Sequence, residues 1–111
     1  MAQNDMHVIM YKILCYLYDC MKRDVDPDAD CFNYVAMGIP ERYWCDIMRE
    51  LFSKRFISGV MVVPSGSSVK IVLHRPRVTM DGVEFMQENT MMAKARDFLI
   101  TTKAAIPLPG F

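Results

Sequence analysis

Apolar residues recur at steps of three and four along the first part of the chain, a spacing that places them on one face of a helix. Within residues 5–23 the members of this stripe are Met6, Ile9, Met10, Ile13, Leu14, Leu17 and Met21. Asn4 or Asp5 can cap the N-terminus by accepting a hydrogen bond from a free backbone N–H group. The pattern therefore predicts a first helix over residues 5–23.

An acidic connector, DVDPDAD over residues 24–30, follows this helix and contains the helix breaker Pro27. After it the pattern predicts a short second helix over residues 29–36, with Asp28 or Asp30 as its cap. Its predicted core-facing residues are Phe32, Val35 and Ala36.

The acidic connector also resembles part of a calcium-binding EF-hand loop. Asp24, Asp26 and Asp28 would supply its first ligands. Ala29 then stands where the loop needs Gly, and Val35 stands where it needs a bidentate Glu. Because the closing ligand is missing, we predict a solvated loop and no calcium site.

The sharpest break in the pattern is Gly38-Ile39-Pro40. Gly38 suits a left-handed helix end, and Pro40 suits the first position of a new helix. Two helices joined by a tight Gly-containing turn are typical of helix-turn-helix proteins. We predict a third helix from about Pro40 to Lys54. Its predicted buried stripe is Trp44, Ile47, Met48 and Leu51.

The period then changes from that of a helix to that of strands. Residues 56–63, FISGVMVV, and 69–74, VKIVLH, are rich in β-branched residues, and the intervening PSGSS is typical of a turn. This pattern predicts a β-hairpin that Arg75-Pro76-Arg77 ends. Because a lone hairpin is only marginally stable in water, we expect it to pack against the helices.

Two further helices are predicted after the hairpin. Thr79 caps a fourth helix over about residues 80–88, Asn89 interrupts it, and Thr90 caps a fifth helix that ends near Thr102. The predicted apolar face of the fifth helix is Met92, Ala95, Phe98 and Leu99.

The order of elements is that of a winged helix. We predict an α+β, mostly helical fold in which a helix-turn-helix is followed by a β-hairpin wing and by extra C-terminal helices. Residues 1–103 are predicted to form this single domain, and residues 104–111 a C-terminal tail.

The chain also resembles the YjcQ-like winged-helix proteins, small bacterial and phage-associated domains. The resemblance covers about residues 8–100 and rests on YKILCYLYD, MGIPERYWCDIMRELF, FISGV and RVTMDGVEFMQENTMMAKARDFL, of which the last is the most specific. The acidic connector and the C-terminal tail depart from the pattern. The resemblance implies a winged-helix fold, no known enzymatic activity and no catalytic residues, and the function of the family is undefined.

Composition limits the functions that the chain can have. Its 111 residues include 13 basic and 13 acidic side chains, so the formal net charge is zero. Dedicated nucleic-acid-binding proteins are usually more basic, and this balance argues against strong non-specific binding. Residues 1–6 lack the basic start and apolar run of a signal peptide, and no apolar run is long enough to cross a membrane. We therefore expect a cytoplasmic protein without membrane association.

Catalytic and metal-binding motifs are not recognisable in the sequence. The four cysteines form no CxxC pair, and only His7 and His74 could join them as zinc ligands. We expect reduced thiols and no cofactor. No GxSxG, P-loop or GxGxxG motif occurs, so we expect no enzyme.

The exposed face of the third helix is the first candidate binding surface. In helix-turn-helix proteins the N-terminal part of this helix enters the major groove of DNA. Arg42 could read guanine, Arg49 could hold a phosphate, and Tyr43 lies beside them. The carboxylates on the same surface, which would repel phosphate, are Glu41, Asp46 and Glu50.

The hairpin carries the second candidate surface. Lys70, Arg75 and Arg77 are close in the sequence, with His74 among them. The PSGSS turn can approach a phosphate backbone because Gly and Ser add little bulk. The alternative is that these are ordinary strand-edge charges that discourage aggregation.

Two functions remain open. The usual role of a winged helix favours nucleic-acid binding, as a small transcriptional regulator that contacts double-stranded DNA, and this is the sequence-based prediction. Neutral charge and the carboxylates favour the alternative, a protein–protein interaction module that reuses the fold. The predicted contact residues are Arg42, Tyr43, Arg49, Lys70, Arg75 and Arg77.

A homodimer is a further prediction. It would form through the last helix and the tail, whose apolar side chains would otherwise be exposed. The side chains concerned are Ile106, Leu108 and Phe111.

Overall fold

The computed structural model of the protein describes residues 1–102. In this range the chain forms five α-helices, one 3-10 turn and two strands: α1 Met6–Arg23, α2 Tyr34–Met37, α3 Glu41–Ser53, β1 Ile57–Ser65, β2 Ser68–Val78, α4 Met80–Glu88 and α5 Thr90–Thr102. The predicted class, α+β and mostly helical with a hairpin between helices, is confirmed. The predicted domain boundary at residue 103 and the tail over 104–111 lie outside the described residues.

The core lies on both sides of α1. On one side its stripe, with Ile13 and Leu17 fully buried, packs with the buried side chains of α3. On the other side Val8 packs with Ala95 and Leu99 of α5, which the single predicted stripe did not include. The predicted stripe of α3 is confirmed, since all four of its members are buried: Trp44, Ile47, Met48 and Leu51.

The prediction was wrong for Met21, which is 44% exposed. It lies in the last turn of α1, where the chain leaves the helix for the acidic connector. The N-cap prediction is confirmed for Asp5, whose side chain accepts a hydrogen bond of 2.9 Å from the backbone N–H of His7.

The predicted second helix over residues 29–36 was wrong in its extent and in its core-facing residues. Ala29–Cys31 is a 3-10 turn capped by Asp28, and a separate helix begins at Tyr34 after the cap Asn33. The Asn33 side chain accepts a hydrogen bond from the Ala36 N–H group, which starts a new helix. Phe32 is buried as predicted. The two residues that instead face solvent are Val35 and Ala36.

The turn between α2 and α3 has the predicted form. Gly38 adopts a left-handed conformation with φ 67°, and its N–H group donates to carbonyls of α2. Pro40 is the N-cap of α3, one residue before the helix begins, and was predicted as the first helical residue. The Trp44 indole N–H donates a buried hydrogen bond of 2.9 Å to the carbonyl of Phe32, which holds the end of the 3-10 turn against α3.

The hairpin is longer than predicted and contains a bulge. β1 and β2 pair antiparallel, and the register is interrupted between Ser58 and Val60. There Gly59 adopts φ 77°, and a Cβ atom on it would lie 2.5 Å from the His74 carbonyl oxygen. This close approach explains why glycine is needed in the middle of a strand.

The ends of the hairpin also differ from the prediction. The loop between the strands is the two residues Gly66 and Ser67, because Ser65 already pairs with Ser68. The segment 75–77 was predicted to end the hairpin but lies inside β2. The ladder tolerates Pro76 because it falls opposite the bulge, where its missing N–H group is not required.

The helices after the hairpin begin at their side-chain caps. The prediction for Thr79 is confirmed, since its hydroxyl accepts from the Gly82 N–H group and donates to the Arg55 carbonyl at 2.6 Å. The cap of α5 is Asn89, whose side chain accepts from two backbone N–H groups of α5, and the prediction of Thr90 was wrong. Of the predicted apolar face, Phe98 is half-buried, and the fully buried members are Met92, Ala95 and Leu99.

Candidate binding groove

A groove of about 660 Å³ separates α3 from the loop of the hairpin. One wall consists of α3 side chains, namely Glu41, Arg42, Cys45, Asp46 and Arg49. The other wall is the hairpin segment Gly66, Ser67, Ser68 and Val69. We call this feature the α3 groove. It brings together α3 and the hairpin turn, the two elements that carry the candidate surfaces predicted from the sequence.

The charges of the α3 groove alternate along the helix. Arg42, Asp46 and Arg49 are separated by four and three residues, which places them in one line on the exposed face. Glu41 adds a second carboxylate at the start of the helix. Within residues 1–102, none of these four side chains forms an ion pair. The groove thus presents two guanidinium and two carboxylate groups to a ligand, with no net charge.

Cys45 forms the apolar floor of the groove and was not predicted as a site residue. This residue is 6% exposed, and its burial raises the pKa of the thiol. The nearby carboxylates of Glu41 and Asp46 raise this pKa further. A thiol in this setting stays protonated near neutral pH and is a weak nucleophile. Cys45 lies four residues from both Glu41 and Arg49. This helical spacing could have predicted from the sequence that it shares their face of the helix.

Tyr43 lies beside the groove rather than in it. Its hydroxyl donates a hydrogen bond of 2.7 Å to the backbone carbonyl of Asn4. Burial raises the pKa of this phenol, and the carboxylate of Asp5 raises it further. Tyr43 therefore holds the N-terminal segment against α3, a contact across the chain that helical periodicity alone does not reveal.

Lys70 lies on the opposite face of the hairpin from the groove. Along β2 the half-buried Val69, Ile71 and Leu73 alternate with the exposed Lys70 and Val72. Because successive side chains of a strand point to opposite faces, Lys70 cannot join Arg42 and Arg49 without a twist of the hairpin.

Arg75 and Arg77 lie at the base of the hairpin, next to the acidic connector. Both line a cavity of about 200 Å³ together with the end of α1 and the connector. An Arg75 guanidinium nitrogen lies 3.8 Å from a carboxylate oxygen of Asp26, and both side chains are exposed, so this ion pair is weak. Lys70 pairs with Val63 and Arg77 with Ser58, which separates the two cations by about 16 Å along β1.

Comparison with known proteins places the chain in a family. The model of the YjcQ protein family matches residues 11–104, which is most of the chain. The chain belongs to the YjcQ family. No curated protein and no solved structure matches it.

Membership of the YjcQ family confirms the resemblance found in the sequence. The family has no defined function, so it assigns no role to the α3 groove. The matched range begins within α1 and includes α3, the hairpin, α4 and all of α5 that the structure describes. Both walls of the groove therefore lie within the range that the family model matches.

The described residues offer neither a metal site nor a membrane-spanning helix. Among residues 1–102, no group of three or more His, Cys, Asp or Glu side chains is arranged to hold a metal ion. None of the helices described is both long and apolar enough to cross a bilayer. The four cysteines, all of them in the described range, are free thiols.

Proposed function

We propose that this YjcQ-family protein is a winged-helix interaction module whose α3 groove binds a segment of a partner protein. The observation that carries this proposal is the alternating set of charges Arg42, Asp46 and Arg49, with Glu41 beside them, none of which forms an ion pair within residues 1–102. A polypeptide can carry both signs of charge at this spacing, whereas a phosphate backbone carries only one. Each complementary pair formed at the interface fixes the register of the partner more than it adds affinity.

The shape of the groove supports a polypeptide ligand. Its volume of about 660 Å³ lies in the range of sites that enclose small ligands or a few side chains. The hairpin wall offers Ser67 and Ser68 hydroxyl groups and the backbone of a glycine turn, which can pair with a peptide backbone. The floor at Cys45 is apolar. Its buried thiol stays protonated near neutral pH, and we propose no chemical step in the groove.

Duplex DNA is the second candidate ligand. Arg42 and Arg49 are exposed and lie two turns apart on α3, next to a hairpin turn, which is the arrangement that winged-helix proteins use on DNA. Against it, Lys70, Arg75 and Arg77 lie on other surfaces, so few cations would meet one duplex. Affinity for DNA depends on the number of phosphates that are neutralised, and two cations opposed by two carboxylates neutralise few.

The test compares two charge reversals of equal size. Arg49→Glu changes the groove, and Lys94→Glu changes an exposed position on α5 outside it. Affinity-tagged wild type and both variants are incubated with lysate of the host cell, and bound proteins are quantified by mass spectrometry. We expect a partner whose recovery falls at least about tenfold with Arg49→Glu and is unchanged with Lys94→Glu, since the reversal replaces an attraction across the interface by a repulsion between like charges.

The DNA candidate is tested in parallel by fluorescence anisotropy of a labelled duplex at low salt. We expect no saturable binding. Saturable binding that Arg49→Glu removes and Lys94→Glu preserves, with a logarithmic salt slope of about −0.9 per phosphate contacted, would overturn the protein-binding proposal in favour of DNA.

A further inference from the structure

The outer face of the hairpin is an apolar surface that no described part of the chain covers. Met61 is 58% exposed, and Val63 and Val72 are each 37% exposed. The strand register pairs Met61 with Val72 and Val63 with Lys70, so the four side chains are neighbours on one face. We call these four residues the wing patch. It combines three apolar side chains with one ammonium group.

A second surface, at α4, has the complementary chemistry. It is a shallow depression of about 400 Å³ whose floor is the stacked ring pair Phe56 and Phe85, with centroids 4.3 Å apart. Three exposed carboxylates surround the rings, those of Asp81, Glu84 and Glu88. We call these five residues the α4 patch. Among the described lining residues it contains no basic side chain.

The carboxylates of the α4 patch repel one another. Glu84 and Glu88 are separated by four residues and Asp81 and Glu84 by three, which are the spacings at which like charges on a helix destabilise it by a few tenths of a kcal/mol per pair. Within residues 1–102 none of the three forms an ion pair. A cation brought by a binding partner would therefore remove a repulsion as well as form an attraction.

We infer that the wing patch of one copy of the protein docks on the α4 patch of a second copy. The two patches differ in the sign of their charge, so neither pairs with itself and each fits the other. The flexible Met61 side chain projects from a two-stranded ribbon, and the α4 patch is a depression floored by aromatic rings, with which a thioether makes favourable contacts. Lys70, next to this apolar group, faces the carboxylates.

The expected association is weak. Three exposed apolar side chains supply much less area than the roughly 800 Å² per partner of a standard stable interface. The associated state is therefore populated only at high protein concentration. It weakens as salt rises, because the charges involved are exposed and are screened within about 10 Å at 0.1 M ionic strength.

The test uses charge reversal on both patches. The variant Lys70→Glu makes the wing patch acidic, and the variant Glu84→Lys/Glu88→Lys makes the α4 patch basic. The mass of the full chain is measured by sedimentation equilibrium at low and high salt, over a range of concentrations. Lys94→Glu, outside both patches, is the matched control, and circular dichroism verifies that each variant is folded.

We expect wild type and Lys94→Glu to associate at low salt and each reversed variant to be monomeric. We expect a mixture of the two reversed variants to associate again. The triple variant that carries all three substitutions also associates again. A wild type that stays monomeric at every concentration would overturn the inference. Association that both reversals leave unchanged would also overturn it, and would point to a dimer formed elsewhere. Loss in the reversed variants without recovery in the mixture would overturn it too.

Discussion

The helical core and the outer part of the hairpin differ sharply in how much of their apolar surface is buried. α1 alone contributes seven buried residues, and its stripe packs with α3 into one cluster. By contrast, no residue from Met61 to Arg75 is fully buried, although the segment is rich in Val, Ile and Leu. The boundary lies just past the bulge at Gly59, because Ile57 and Val60 on either side of the bulge are still part of the core.

This difference shows which part of the molecule stabilises the fold and which part is available for binding. Burial of apolar area is the main stabilising contribution, so the free energy of folding comes mainly from the helical core, to which α1 contributes more buried residues than any other described element. The hairpin beyond the bulge is held mainly by its own ladder and by Ile71 and Leu73, which pack against the core. Its outer apolar residues contribute little to folding, and this part of the chain borders the α3 groove and contains the wing patch.

The largest effect is expected from a substitution in the helical core. Leu17 is fully buried, so Leu17→Ala leaves a cavity and is expected to lower the free energy of unfolding by about 2–5 kcal/mol. Urea unfolding followed by circular dichroism measures this change. The control is Ile100→Ala, at a side chain that is 66% exposed, with an expected change within about 0.5 kcal/mol. Similar losses in both variants would show that α1 does not dominate stability.

The next largest effect is expected at the bulge. In Gly59→Ala the new methyl group would lie 2.5 Å and 2.8 Å from the carbonyl oxygens of His74 and Arg75, and φ is 77°. The strands must shift, so we expect a loss of about 2 kcal/mol. The control Gly66→Ala has φ 61° but no atom within 4 Å of the new carbon, so only a conformational cost of about 1 kcal/mol applies. Equal losses in urea unfolding would mean that close packing at the bulge is unimportant.

The sequence predicted the core well because its signal is periodic and long. The stripes of α1 and α3 extend over several helical turns, and the buried residues Ile13, Leu17, Trp44 and Leu51 all follow that spacing. The four-residue helix α2 is too short for a period to be visible, so Val35 was placed in the core but is 72% exposed. The cap Asn33 was the signal that could have shown the break.

The candidate site was predictable only in part, because its composition depends on strand register. Arg42 and Arg49 share a helix face, and helical spacing brings them together without further information. The face on which Lys70 lies depends on its pairing with Val63, and the position of Arg77 depends on β2 continuing past Pro76. The ladder skips three residues of β2 opposite Gly59, and this gap is a tertiary feature. In the sequence, the proline had instead suggested that the strand ends there.

A smaller effect is expected at the junction of α4 and α5. The Asn89 side chain accepts hydrogen bonds of 2.9 Å and 3.2 Å from the N–H groups of Met91 and Met92. Asn89→Ala is expected to cost about 1 kcal/mol, because these N–H groups lose their partner. Thr90→Ala is the control, expected within about 0.5 kcal/mol, since Thr90 is exposed and follows the cap. If thermal unfolding showed a larger loss of stability for Thr90→Ala than for Asn89→Ala, Thr90 would be the cap.

The smallest effect is expected on the outer face of the hairpin, where Val72→Thr keeps the β-branched shape at a side chain that faces solvent. We expect a change in the free energy of unfolding within about 0.5 kcal/mol. Its neighbour Ile71 faces the core cluster, so Ile71→Thr is expected to cost about 1 kcal/mol or more, from lost burial and a partly buried hydroxyl. Urea unfolding of the two variants compares the two faces of one strand. If Val72→Thr were the more destabilising, the outer face would be part of the fold's own core and could not be spare surface for a partner. If it is neutral for stability and yet weakens self-association, its exposed methyl groups contribute to binding rather than to folding.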